Sequence, residues 1–205
     1  KGGVMMQTNT VMTYTFDELD DEGKQTAINN YRDGNLDYDW WEFVYEDATA
    51  IGTLMGIDID KIYFSGFWSQ GDGACFEGDY SYAKGSVKAI KAYAPLDKEL
   101  HQIALDLSKV QRPTFYELSA TVKQQGHYMH ELCTDITVYD GTSDFCYATD
   151  DQEEGVKEAL RSFMQWIYSS LEKGHDWLNA DEQIIESIEA NEHVFLANGE
   201  STYYL

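Results

Sequence analysis

The sequence is poor in proline, cysteine and positive charge. Two prolines in 205 residues, beside a 43% apolar and 14% aromatic composition, exclude a linker or low-complexity chain and point to a packed globular protein. Three cysteines, Cys75, Cys133 and Cys146, are too few and too irregularly spaced for a disulfide framework or a paired zinc knuckle, so they read as reduced thiols. No apolar stretch approaches the length that crosses a bilayer, and no secretory pattern opens the chain. The expected setting is therefore the cytoplasm. Lys1-Gly2-Gly3 reads as an expression scar ahead of a start at Met5 or Met6. Fourteen Lys and Arg stand against 37 Asp and Glu, a net charge of −23 at neutral pH. That field opposes any phosphate backbone and argues against direct nucleic-acid binding.

Hydrophobic periodicity supplies the elements. Thr15 and Glu18 form a capping box ahead of a first helix that ends at Asp33-Gly34, and a second helix runs from Asp39 to Gly56 with Trp40, Trp41, Val44, Ala48, Ile51 and Met55 along it. The adjacent tryptophans point about 100° apart on a helix, so one is expected in the core and the other at its border. Ile62–Trp68 and Ala74–Tyr82 read as a hairpin, with Asp72-Gly73 as the tight turn, Gly66 as a bulge, and Phe64, Trp68 and Phe76 alternating into the core. Ser86 is expected to cap a short helix, and a longer one follows from Asp97. A second hairpin joins Phe115–Lys123 to Tyr128–Tyr139. A helix opening at Asp150-Asp151 is expected to break at Gly174, before a last helix over residues 180–191 and an extended tail at Tyr203-Tyr204-Leu205. The order predicts an α+β fold, one antiparallel sheet of about four strands flanked by helices. Residues 14–143 would form its core domain, and 144–205 an acidic helical extension packed on it.

The acidity is uneven. Residues 1–60 carry 13 acidic and 3 basic residues, 61–143 carry 10 and 8, and 144–205 carry 14 and 3, so the excess lies on the flanking helical segments. Mutually repelling carboxylates lower stability, and a net magnitude of about 2–8 already keeps a small domain soluble. A general solubility surface is one reading. The other is imitation of DNA: duplex DNA carries a charge every ~1.7 Å, and carboxylates one helical turn apart, about 5.4 Å, form a sparser ladder for a protein with a basic channel.

The most distinctive stretch is Ser65-Gly66-Phe67-Trp68-Ser69-Gln70-Gly71-Asp72-Gly73-Ala74. It lacks the Lys-Ser/Thr ending of a phosphate loop and the acidic spacing of a calcium loop. With Tyr38-Asp39-Trp40-Trp41, Val44-Tyr45-Glu46-Asp47, Ile62-Tyr63-Phe64, Tyr93-Ala94-Pro95, Leu100-His101, Gly126-His127-Tyr128 and His130, it resembles a family of small, mostly uncharacterised phage and prophage proteins, some labelled antitoxin-like, over roughly residues 14–140. The resemblance implies a phage setting, in which small proteins often block a host defence nuclease or neutralise a toxin. It brings no catalytic residues with it.

No enzymatic motif stands out. His127, His130 and Cys133 are three apart, and on a strand such residues face opposite sides, so no metal site is expected. No cofactor is expected either. The leading expectation is a phage-encoded inhibitor of a CRISPR- or restriction-type defence, binding a host nucleic-acid-binding protein or complex. Its contacts would be Asp37, Asp39, Glu42, Glu46, Asp47, Asp150, Asp151, Glu153, Glu154, Glu158, Glu186 and Glu189, with Trp40, Trp68, Gln70 and Asp72 as further contacts. The alternatives are an antitoxin-like protein that masks a toxin, and a ligand binder or enzyme built on the Ser65–Ala74 hairpin.

Overall fold

The computed structural model describes residues 10–34, 36, 38–141 and 148–202. Its order is α1 (Asp21–Gly34), α2 (Glu42–Met55), β1 (Ile57–Phe64), β2 (Ala74–Ser81), α3 (Ser86–Tyr93), α4 (Lys98–Gln111), β3 (Ser119–Gln124), β4 (Thr134–Tyr139), α5 (Asp150–Leu178) and α6 (Asp181–Ala190). The four strands form one antiparallel sheet in the order β1-β2-β3-β4, and the fold is α+β. The chain divides into two compact units, one of Trp41–Gly174 and a smaller one of Lys1–Trp40 with His175–Leu205. The expected boundary at 143/144, the tail at 203–205, Cys146 and Asp37 lie outside the described residues.

In the larger unit β2 buries Ala74, Cys75 and Phe76 in a row and alternates from Phe76 onward. Phe76, Gly78 and Tyr80 of β2 stand beside Ala120 and Val122 of β3, and Val122 pairs with Ile136 of β4, so one face is continuous and apolar. Phe76 meets Phe163 of α5 edge to face at 6.0 Å, and Phe163 stacks on Trp166. Trp166 Nε1 donates to Asp97 Oδ2 at 2.8 Å, while Asp97 Oδ1 accepts the Leu100 N–H and so caps α4. The other face buries Cys75 and carries polar pairs beyond it: Tyr63 donates to Glu77 and Thr121 to Asp79, both at 2.7 Å. Helix α2 buries Val44, Ala48, Ile51 and Met55, a helical stripe, and ends on Gly56 at φ 85°, where a side chain would collide with the Ser81 carbonyl.

One buried polar link is invisible to periodicity. Gln111, fully buried at the end of α4, donates through Nε2 to the Leu118 carbonyl at 2.7 Å and to the Tyr80 hydroxyl at 3.2 Å, and its Oε1 accepts the Leu118 N–H at 3.1 Å. The amide thus substitutes for a strand partner just before β3 begins.

Several local expectations are corrected. The Thr15–Glu18 box closes the short turn Phe16–Glu18, and Asp20 Oδ1, accepting the Gly23 N–H at 2.8 Å, starts α1 instead. The β1–β2 connection is a nine-residue loop, 65–73, with positive φ at Gly66 and Gly71 and none at Asp72 or Gly73. The residues Phe115 and Tyr116 take φ 55° and 65°, a bend that delays β3 to Ser119. Ser86 is the first residue of α3, after Gly85 at φ 86°, and caps nothing. Gly174 does not break its helix: α5 continues to Leu178, and a Cβ on Gly174 would come to 3.0 Å from Phe43 Cζ. Close approach of a ring, not chain termination, accounts for that glycine.

In the smaller unit, Phe16, Leu19, Ala27, Ile28, Ile184, Ile188 and Phe195 form a core of their own. Two segments far apart in the sequence meet there, with Tyr14 and Phe195 exchanging backbone hydrogen bonds at 2.8 and 2.9 Å. Arg32 of α1 pairs with Asp181 and donates through Nε to the Asn179 carbonyl at 3.2 Å, which fastens α1 to the start of α6.

Candidate functional site

The two units carry their acidity differently. The smaller holds 15 acidic and 3 basic residues and the larger 22 and 11. Every carboxylate of the smaller unit whose side chain is described is exposed. Its two described cations are already engaged, Arg32 with Asp181 and Lys24 over the Phe16 ring at 5.7 Å. Glu186 and Glu189 project from the outer side of α6 while Ile184 and Ile188 enter the core, as the 3.6-residue period requires. Glu18 is held below its ordinary value by the Thr15 backbone N–H and then by the Thr15 hydroxyl, so it stays ionised.

A cleft of about 400 Å³ opens on this unit. Phe16, Ile188 and Val194 give it an apolar lining, and Asp17, Glu189, Glu192 and His193 add polar groups. Glu192 takes φ 52° just after α6, where the His193 N–H reaches the Ile188 carbonyl at 3.1 Å, a helix ending that usually carries glycine. Of these residues only Glu189 is among the predicted contacts. Asp17 and Glu192 belong to recognisable acidic clusters, but nothing in a linear pattern shows that residues 15–17 lie beside 188–194.

In the larger unit, Glu42 and Glu46 stand one turn apart and exposed on α2, and Asp47 accepts the Tyr93 hydroxyl at 2.6 Å. The first turns of α5 expose Asp150, Asp151, Glu154 and Glu158, but part of that charge is answered on the helix itself: Lys157 lies 3.6 Å from Glu153 and Arg161 3.3 Å from Glu154. Glu158 lines a groove of about 410 Å³ with Glu99 and Asp106 of α4. Asp39, in the smaller unit, is exposed.

The aromatic candidates separate. Trp40 is 6% exposed and beside the His175 ring at 5.6 Å, so it serves the interior and not a partner, whereas Trp68 is 81% exposed. The loop that bears Trp68 is braced from the β3–β4 connection. A Cβ on Gly71 would fall 2.6 Å from Tyr128 Cδ1, and one on Gly73 2.9 Å from His130 Cα, so both glycines permit close approach of the two loops. Gln70 is exposed. Asp72 accepts the Ser69 N–H at 2.6 Å and therefore shapes its own turn.

Burial, and after it the nearness of Cys133, Glu77 and Glu131, pushes the Cys75 thiol up to about 12, the reverse of an activated nucleophile. His130 Nδ1 lies 3.2 Å from the Leu132 N–H and 2.9 Å from a Glu131 carboxylate oxygen. Among the described residues no three His, Cys, Asp or Glu side chains converge as a metal site. No helix among them is long and apolar enough to cross a membrane.

The described residues thus form an α+β protein with many exposed carboxylates and two exposed tryptophans, Trp68 and Trp177. The chain belongs to the family described as Domain of unknown function (DUF8835), whose model matches residues 40–181. The matched range includes the whole larger unit and only residues 40 and 175–181 of the smaller. No curated protein and no solved structure matches the chain.

Proposed function

We propose that this protein is a phage-encoded, non-enzymatic binding protein that acts in the host cytoplasm and inhibits a nucleic-acid-dependent defence system by presenting its acidic surface to the basic site of a host protein. One observation carries the reading: the smaller unit exposes all its described carboxylates while its two described cations are engaged internally. Such a surface has a single-sign field that speeds encounter with a basic partner and disfavours acidic ones. The cleft beside α6 adds a specific grip, since an apolar floor with Asp17, Glu189 and Glu192 suits the alkyl stem and charged head of a partner lysine or arginine. At physiological ionic strength screening sets in over about 8 Å, so carboxylates at the contact decide affinity and distant ones mainly steer.

The test is a pull-down from bacterial lysate with the intact chain at about 50 and 500 mM salt, a range in which screening shortens from well over 10 Å to a few ångströms. The reading expects a nucleic-acid-binding partner that is retained at low salt, released at high salt and displaced by duplex DNA. A partner held equally at both salts and indifferent to DNA would overturn it.

A further inference from the structure

We infer that the outer edge of β4 is a self-association surface, to which a second copy of this chain adds its own β4, antiparallel and about a two-fold axis. The inference does not rest on the binding role proposed above. Strand β4 ends the sheet, and among the described residues β3 is the strand it pairs with. The Gln125 N–H reaches the Cys133 carbonyl at 2.8 Å, and the register then runs without a shift from Gln124 opposite Thr134 to Ser119 opposite Tyr139. That fixes the phase of the ladder. Asp135, Thr137 and Tyr139 turn their N–H and C=O groups to β3, whereas those of Thr134, Ile136 and Val138 point off the sheet. No hydrogen bond from the described residues takes up these outward groups.

The two edges of the sheet are built differently. On β1 the register shifts between Ile59 and Lys61, and Asp58, Asp60 and Lys61 are exposed, which are devices that keep an edge from pairing. Strand β4 has no register shift and no glycine, proline or lysine, and Asp135 is its one charged residue. Its threonines, Ile136, Val138 and Tyr139 all favour extended backbone. It also lies within residues 61–143, where 10 acidic residues face 8 basic ones, the least charged part of the chain.

The occupant follows from the strand's complementarity to itself. With Ile136 opposite Ile136 of the second copy, Thr134 stands opposite Val138, every outward group is paired, and Asp135 meets Thr137. The sheet already contains such a pair: Asp79 and Thr121 are directly opposite, and the Thr121 hydroxyl donates to Asp79 Oδ1 at 2.7 Å. Buried Ile136 and half-buried Val138, which pair with Val122 and Ala120, would carry the apolar face across the axis. Other registers are worse. A slip of two residues one way sets the two Asp135 carboxylates face to face, and the other way leaves Thr134 opposite Asp140, beyond the strand. A slip of one residue sets outward groups against groups already bonded to β3. In the favoured register the two Asp135 residues are diagonal, about 7–8 Å apart, and each stands beside its own Lys123 on β3.

The experiment is sedimentation velocity of the intact protein from about 5 to 500 μM, at about 50 and 500 mM salt, with hydrogen exchange of the 134–139 amides measured at both ends of the concentration range. A reversible dimer is expected, with a dissociation constant on the order of 100 μM, because a six-residue edge is a small contact. Added salt should tighten it, since two chains of charge −23 repel each other. That sign is opposite to the one expected for capture of a basic host partner, so the two readings fail separately. Exchange at residues 134, 136 and 138 should slow as the dimer forms. Thr137 is exposed, so substitutions there spare the core. Thr137→Asp, which sets a carboxylate opposite Asp135 of the second copy at two symmetric places, should weaken the dimer about 10-fold, and Thr137→Lys should tighten it by roughly the same factor. A chain that stays monomeric throughout, a dimer loosened by salt, unchanged exchange at 134–139, or two variants that shift the equilibrium in the same direction would overturn the inference.

Discussion

Replacing Gln111 by methionine tests how the sheet is held to α4. Methionine nearly preserves the side chain's length and bulk, so the change removes three hydrogen bonds and opens no large cavity. What remains is the Leu118 N–H and carbonyl, on a residue only 1% exposed, with no route to water. Leaving a buried polar group unsatisfied costs about 1–3 kcal/mol, so two of them predict a loss of about 2–6 kcal/mol. That is a large part of a typical stability of about 5–15 kcal/mol. For a chain of this length it corresponds to a fall of roughly 10 °C in melting temperature. Thermal and urea unfolding followed by far-UV circular dichroism give the number directly. Gln102→Met is the control on the same helix, because Gln102 is exposed and bonds only to Asp106, and such a change should stay within about 0.5 kcal/mol. Equal effects of the two substitutions would refute the assignment of Gln111 as a buried backbone partner.

Three other outcomes follow from particular groups. Gly174→Ala should stabilise the protein by about 0.5–1 kcal/mol, because alanine favours helix and the only close neighbour is the tip of the exposed Phe43 ring; a loss of melting temperature would show that the ring cannot yield. Tyr45 and Cys75 are pushed up to about 12 by burial, and so is Tyr80 although its bond from Gln111 opposes the shift. Their contribution to stability is full below the unfolded values of 9.0 for the thiol and 10.0 for the phenols and is lost as the pH rises toward about 12. Alkaline unfolding curves should therefore show stability falling from about pH 9, and a flat profile to pH 12 would contradict the burial of these groups. In thiol labelling near pH 8, half-buried Cys133 should react well before Cys75, which is fully buried and protonated, and equal rates would count against that environment.

Element order and type were legible because each rests on local spacing. The stripe Val44, Ala48, Ile51, Met55 specifies α2, Asp97 marks the start of α4, and alternation through Phe76, Gly78 and Tyr80 places β2 on the apolar face. Where a glycine has more than one use, spacing is not enough: Gly174 reads as a stop but sits within α5 opposite Phe43, and Gly73 reads as a turn residue but lets His130 approach. The site was legible only as charge. Periodicity places Glu186 and Glu189 on an outer face, yet joining Asp17 to Glu192 requires the Tyr14–Phe195 pairing between segments far apart in the sequence. Trp40 and Trp68 look alike as aromatic anchors in the sequence, and only tertiary packing buries the first and leaves the second exposed. Ser86 looks like a helix cap, yet it is the first residue of α3, after Gly85 in the left-handed region.

The acidic surface is tested most directly by charge reversal at its outermost described positions. Glu186→Lys with Glu189→Lys leaves the α6 core residues Ile184 and Ile188 untouched and shifts the local charge by four units. The measurement is the affinity of wild-type and reversed protein for the partner retained from lysate, at about 150 mM salt, where charges within about 8 Å still act strongly. A loss of at least ~10-fold, with an unchanged melting temperature, is the result expected if these carboxylates meet a basic surface. Unaltered affinity would contradict recognition through this face.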